Sequence, residues 1–239
     1  MKVKNVMIVG ASSGIGKRLA ELYAQAGCRV GIVGRRKERL LRMAQEYPTQ
    51  MVVCPADVCQ KDMIENLETL CRKLGNMDLL VYCSGIGELN PELDFDLERP
   101  TIETNVMAFT RIADWAFGYF QQQKSGHLVG ISSVGGLRGG KTAPAYNASK
   151  AYQMNYLEGL AQKAEHLKIP LYITDIRPGF VDTAMAKGEG LFWIVPVDKA
   201  ARRIMRGIAR RKAIVYVSRR WRYVAALLRL LPGRIYRRM

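Results

Sequence analysis

A chain of 239 residues that is 49% hydrophobic and 24% charged can bury one sizeable core, and this composition excludes a disordered or collagen-like polymer. Its five cysteines (Cys28, Cys54, Cys59, Cys71 and Cys83) are odd in number and contain no Cys-x-x-Cys pair, which argues against a zinc cage or a full disulfide framework and for a reducing compartment. The net charge of +16 is unevenly placed: residues 1–198 set 23 Lys/Arg against all 21 Asp/Glu, whereas residues 199–239 carry 14 Lys/Arg and no acid, so the basic character belongs to a tail.

The chain opens on a short apolar run that ends at Val9, too short for a signal sequence and leading directly into a glycine turn. Val6–Val9, Val30–Val33, Met51–Cys54, Leu79–Tyr82, His127–Ile131, Leu171–Ile176 and Ile214–Val217 read as strands, with longer amphipathic segments between them. Repeated strand-helix units predict an α/β fold built on one doubly wound parallel sheet. The runs are apolar throughout rather than alternating, as expected for strands covered by helices on both faces. No apolar stretch reaches the roughly 18 residues of a spanning helix, so the expected location is cytoplasmic. The one compositional shift lies near residue 198, and the expected division is a body over 1–218 and a basic amphipathic tail over 219–239.

Gly10-Ala11-Ser12-Ser13-Gly14-Ile15-Gly16 follows the first strand and opens a helical pattern at Leu19, Ala20, Leu22 and Tyr23. Glycines at such a turn let backbone approach a pyrophosphate, whose charge then faces a helix N-terminus. After the second strand, where an NAD site places an acid for the ribose hydroxyls, stand Arg35, Arg36 and Lys37. Arg35 and Arg36 suit a 2′-phosphate, which predicts NADP(H); the bland alternative is a solvated first helical turn, although cations there oppose the helix dipole.

Tyr146 and Lys150 stand one turn apart on a predicted helix. A phenol with a pKa of about 10 is a poor base at neutral pH, and a neighbouring ammonium favours its ionised form. Ser133, at the end of the fifth apolar run, can hydrogen-bond a substrate oxygen while Tyr146 exchanges its proton. A Tyr-x-x-x-Lys pair alone is a common accident of helix surfaces; its conjunction with the glycine turn is not.

Together with Asp57-Val58, Asn105 and Pro178-Gly179, these motifs occur in an order that resembles the short-chain dehydrogenases/reductases, over about residues 3–218. The resemblance implies a single Rossmann-type domain, NADP(H), a small carbonyl or alcohol substrate and a homo-oligomer. It implies that Ser133 polarises the substrate carbonyl, that Tyr146 is the general acid/base, and that Lys150 lowers the Tyr146 pKa while binding the nicotinamide ribose. Asn105 would hold a water in a proton relay, Asp57 would contact adenine, and Pro178, Gly179 and Thr183 would line the nicotinamide pocket. Two positions depart from the family pattern. Val9 replaces the usual Thr, and Tyr82-Cys83-Ser84-Gly85 replaces Asn-Asn-Ala-Gly, which removes amide side chains beside the cofactor but leaves Ser84 and Gly85 at its edge. Cys83 reads as an inert small hydrophobe, and His127 and His166 as structural.

Phe180 to Val195, with Met185, Leu191, Phe192 and Trp193 between or beside Gly188 and Gly190, can close over an apolar ligand or simply pack on the body. An apolar ketone, lipid-like or a 3-oxo compound, is the expected substrate. A nucleotide-sensing pseudoenzyme is the alternative, though such a protein would more naturally have lost Tyr146 or Lys150; nucleic acid binding finds no recognised module in the tail. After Ser218, the run Arg219 to Leu231 between arginines and aromatics suits a helix on an anionic membrane surface, or else one docked on the body or on a second subunit, and in either case dispensable for chemistry.

Overall fold

The computed structural model describes residues 3–185 and 192–238. Its seven strands are β1 (Asn5–Val9), β2 (Arg29–Gly34), β3 (Met51–Pro55), β4 (Leu79–Tyr82), β5 (Gly126–Ile131), β6 (Leu171–Arg177) and β7 (Ile214–Tyr216). They form one parallel sheet in the order β3-β2-β1-β4-β5-β6-β7, so each expected strand is present and within a residue or two of its expected bounds.

Successive residues of one strand feed opposite cores. Met7 and Val9 pack with Leu67 and Leu70 of α3 (Met63–Leu74), Phe109 and Ile112 of α5 (Phe109–Gln123) and Leu157 of α6 (Pro144–His166). Val6 and Ile8 join Leu19 and Leu22 of α1 (Gly14–Gln25), Leu40 of α2 (Lys37–Glu46) and Ile204 of α7 (Val197–Ala209). Two covered faces are what made the strands apolar without alternation. Strand order reverses between β1 and β4, and the loops leaving the carboxyl ends on either side of that point diverge to leave a crevice.

Between β4 and α5 the chain forms α4 (Phe95–Ile102) and a π-helical turn over Glu103–Ala108. Pro100 lies inside α4 and has no N–H to offer the regular ladder. The π turn follows directly, and it carries Asn105, which is fully buried.

The tail forms α8 (Arg219–Leu230) and a short α9 (Gly233–Tyr236), and it is docked on the body. Trp221 and Ala225 are buried, while Arg138 donates to the Leu231 carbonyl at 3.3 Å and lies 4.5 Å from the centre of the Tyr236 ring.

His127 on β5 is buried, and its Nε2 lies 2.7 Å from Thr174 Oγ1. That hydroxyl donates its only proton to the Lys212 carbonyl at 2.7 Å, so His127 Nε2 must be the donor to Thr174. Burial, with Arg211 nearby, pushes the His127 pKa down to about 4. Below its ordinary value of about 6.5 the unfolded chain takes up a proton that the folded chain refuses, so this stability is complete above that pH and is lost as pH falls toward 4. We expect the urea midpoint to drop between neutral and mildly acidic pH by the equivalent of up to roughly 3 kcal/mol, and by clearly less in His127→Gln, which keeps a donor for Thr174; parallel losses in both proteins would refute this assignment.

Candidate active site

A cleft of about 1310 Å³ opens over the carboxyl ends of the strands at the reversal point. Gly10 leaves β1 with φ of 93°, and its N–H and that of Ala11 both donate to the Val33 carbonyl at 2.9 Å. A Cβ on Gly10 would come within 2.6 Å of the Ser84 nitrogen, and one on Gly16 within 2.2 Å of the Gly10 carbonyl oxygen, so neither place admits a side chain. The turn therefore lies flat beneath the cleft. Ser12, Ser13, Gly14 and Ile15 line it at the N-terminus of α1, whose first turn carries no acid. Thr183 approaches from the other side: its Cγ2 would be 3.2 Å from a Cβ on Gly14.

Arg36 donates to Ser12 Oγ at 2.8 and 3.1 Å and to Ser13 Oγ at 2.7 Å, which fixes its guanidinium beside the glycine turn. Burial, then the cations of Arg39 and Arg35, push its pKa below the usual value. Arg35 reaches within 3.8 Å of the Asp57 carboxylate yet stays largely exposed. Asp57 also accepts the Cys59 N–H at 3.0 Å, so it caps a turn as well as bordering the cleft beside Val58.

Ser133 lies just past β5, extended at the start of a 3-10 turn over Val134–Leu137, and its hydroxyl accepts the Gly135 N–H at 3.1 Å. The Val134 N–H donates to the Pro178 carbonyl at 2.9 Å, which ties this turn to the loop after β6. Helix α6 begins at Pro144, with φ preset and no N–H to satisfy, and places Tyr146 in its first turn and Lys150 in the next. Burial pushes the Tyr146 pKa up, and the Ser133 hydroxyl beside it holds it back. The ring lies against Gly87, where a Cβ would come within 2.3 Å of it.

Lys150 is buried, and its ammonium donates to the Ile131 carbonyl at 3.0 Å and to Gln153 Oε1 at 2.9 Å. Burial pushes it down to about 8 against the pull of Asp175 and Cys83. Asp175, on β6, receives Arg177 at 2.5 Å and the Ser132 hydroxyl. Gln153 turns its other end to the Asn105 carbonyl at 2.9 Å. The Asn105 side chain is committed to protein: Oδ1 accepts the Ile86 N–H at 3.0 Å, and Nδ2 donates to the Ile86 carbonyl at 2.7 Å and to Ser149 Oγ at 3.0 Å. It staples the loop after β4 to the π turn and α6. A Cβ on Gly85 in that loop would come within 3.2 Å of the Lys150 nitrogen. Cys83 fits its inert reading, since burial pushes the thiol up to about 12.

The residues expected from sequence thus converge, with Asn105 behind the cleft rather than on its wall. Gln153, Asp175 and Trp221 were not expected. Gln153 follows Lys150 by three residues on one helix, a spacing visible in the sequence; Asp175 and Trp221 are brought in by the fold alone. Trp221 lines the cleft above Gly179, where a Cβ would come within 2.1 Å of its Nε1, and that indole N–H is buried without a partner among the described residues. It stacks on Phe192 at 5.3 Å and meets Phe180 edge-on at 5.5 Å. Leu228 and Tyr236 also face the cleft, so the tail forms part of its wall and is not an appendage. In the segment after Gly179, Phe180 and Met185 line the cleft, while Phe192 and Trp193 pack on Trp221. Gly188, Gly190 and Leu191 lie outside the described residues.

The family model for short chain dehydrogenases matches residues 4–191. An uncharacterized oxidoreductase of Staphylococcus epidermidis is 31% identical over 191 residues, 79% of this chain and 82% of that protein. Among solved structures, a short-chain dehydrogenase from Sphingobium yanoikuyae in complex with NADPH superposes with a TM-score of 0.81 at 23% identity, covering 97% of both chains. The bulky-bulky ketone specific alcohol dehydrogenase from Comamonas testosteroni gives 0.79 at 23% identity, covering 98% of this chain and 96% of that one. The chain belongs to the short-chain dehydrogenase family, as an oxidoreductase with a Rossmann-type fold. A nicotinamide dinucleotide is its cofactor class, and the cradle fits such a group: the bare backbone at Gly10 and Gly16, the anchored Arg36 and the space kept at Gly85 are all places that an added side chain would fill or that an anion would complete.

Gln153 supports Lys150 without reaching the cleft wall, so it is a positioning residue. Loss of one acceptor from an ammonium should lower the Lys150 pKa further, by about one pH unit. Gln153→Leu is expected to move the alkaline limb of kcat/KM to lower pH by that amount while leaving dinucleotide affinity within a few-fold, as read by pH profiles and cofactor titration; an unmoved limb would show that Gln153 does no more than pack.

Proposed function

We propose that this protein reduces an apolar ketone to the secondary alcohol with NADPH. The observation that carries the reading is the convergence of Ser133, Tyr146 and Lys150 at one end of the cleft, with burial holding the phenol protonated. A phenol kept neutral at physiological pH is an acid, and an acid is what carbonyl reduction requires. In this reading Ser133 donates a hydrogen bond to the carbonyl oxygen and Tyr146 delivers its proton to that oxygen. Lys150, still an ammonium at neutral pH, then stabilises the phenolate left behind. Reduced nicotinamide, when bound, supplies the hydride for the carbonyl carbon.

Choice of NADPH is supported by the cations at the end of β2. Arg36 is fixed next to the glycine turn, with Arg35 and Arg39 close enough to depress its pKa, and a 2′-phosphate would relieve that crowding. The apolar substrate is supported by Phe180, Met185, Trp221 and Leu228 on the cleft wall. The Comamonas alcohol dehydrogenase, similar in fold, is specific for bulky ketones.

Two measurements test the reading. Tyr146→Phe should lose on the order of 10²–10⁴-fold in NADPH-dependent ketone reduction while binding NADPH nearly as before; turnover within a few-fold of the parent would exclude Tyr146 as the acid. Replacing Arg36 with Asp should shift the ratio of kcat/KM for NADPH over NADH by roughly 10- to 100-fold toward NADH. The lost bonds to Ser12 and Ser13 affect both cofactors alike, so an unchanged ratio would sink the assignment of the phosphate site.

A further inference from the structure

The two faces of α8 differ in what they meet. Trp221, Ala225 and Leu228 turn toward the body and the cleft. Tyr223, Leu227 and Leu230, spaced to form one stripe along the helix, turn outward, with Tyr223 76% and Leu230 82% exposed. Ile235 of α9 is also exposed, as are Phe192, Trp193 and Ile194, and the Arg220 guanidinium lies 5.5 Å from the centre of the Trp193 ring. Around the apolar stripe stand Arg220, Arg222, Arg234, Arg237 and Arg238, all exposed and, among the described residues, without a carboxylate partner. The nearest acid before them in sequence is Asp198.

We propose that this outward face docks on an anionic lipid surface, with Tyr223, Leu227 and Leu230 entering the headgroup layer and the arginines meeting lipid phosphates. Charge complementarity selects this occupant. A second copy related by a twofold axis would bring two sets of unpaired arginines together. A nucleic acid would satisfy the cations and leave the Tyr-Leu-Leu stripe in water. A helix of 12 residues is too short to cross a bilayer, and among the described residues no helix is long and apolar enough to do so, but a helix lying in the interface needs only one apolar side and flanking cations. The inner side of the same helix walls the cleft, so docking sets the cleft mouth beside the lipid layer.

The proposal stands on this surface and not on the proposed chemistry, and its test needs no turnover. Full-length protein is sedimented with vesicles of phosphatidylcholine alone or with added phosphatidylglycerol, at low and high salt, beside a Leu227→Glu/Leu230→Glu variant and, as a second probe, Arg237→Gln/Arg238→Gln. Thermal melts and NADPH titration check that both variants remain folded. We expect the parent to pellet with the anionic vesicles only, and to release at high salt. The double glutamate variant should lose at least 10-fold in partitioning, and the double glutamine variant should lose a smaller, salt-sensitive share. Parent protein that stays in the supernatant at low salt would overturn the proposal, as would equal pelleting of parent and double glutamate variant. Sedimentation velocity showing a dimer that the glutamates dissolve, without vesicle binding, would assign the face to a second copy instead. Protein that docks yet reduces no ketone would leave this inference intact and remove only the proposed activity.

Discussion

Burying the ammonium of Lys150 is the demand around which the rest of this molecule is arranged. Taking a cation out of water costs several kcal/mol unless acceptors replace the lost hydration. The acceptors come from separate parts of the fold: the last carbonyl of β5, the Gln153 amide one turn along α6, and, through space, the Asp175 carboxylate of β6. β5 must therefore end where it does, α6 must run unbroken past Gln153, and Gly85 must stay bare to keep the ammonium reachable from the cleft. Tyr146 inherits its position from the same helix, one turn earlier. Asp175 is itself buried and held by Arg177 and Ser132, so the charge balance extends a full layer behind the cleft.

What could be read from the sequence was whatever depends on local spacing. Seven strands were legible because each is a short apolar run bounded by polar turns, and the parallel sheet followed from their lack of alternation. Gly10, Gly16, Tyr146 and Lys150 were legible for the same reason: a strand-turn-helix junction and an i, i+4 pair are local patterns. Asp175 and Trp221 were not, because the groups that tie them to the site, Lys150 for the one and Gly179 for the other, are remote from them in sequence. Trp221 meets Gly179, and nothing in an arginine-rich tail announces that its one tryptophan lies over the loop after β6. Asn105 shows a different limit. Its surroundings depend on a π turn after Pro100, and in that turn its amide binds Ile86 and Ser149 instead of lying open on the cleft wall.

The matched family region ends at residue 191, while the cleft is finished by residues well beyond it. The matched part supplies the glycine turn, Ser133, Tyr146 and Lys150, together with Phe180 and Met185 of the apolar wall. The remainder supplies Trp221, Leu228 and Tyr236, and these differ in character from the polar floor that they cover. The two stretches are joined by the contact between Gly179 and Trp221, where one partner must lack a side chain for the other to fit.

Arg138 holds the Leu231 carbonyl and the Tyr236 ring, and Tyr236 in turn donates to the Gly139 carbonyl, so the loop that precedes α6 is clasped by the tail. Pro144 and Tyr146 follow that loop within a few residues, so the tail bears on the start of α6 as well as on the wall of the cleft.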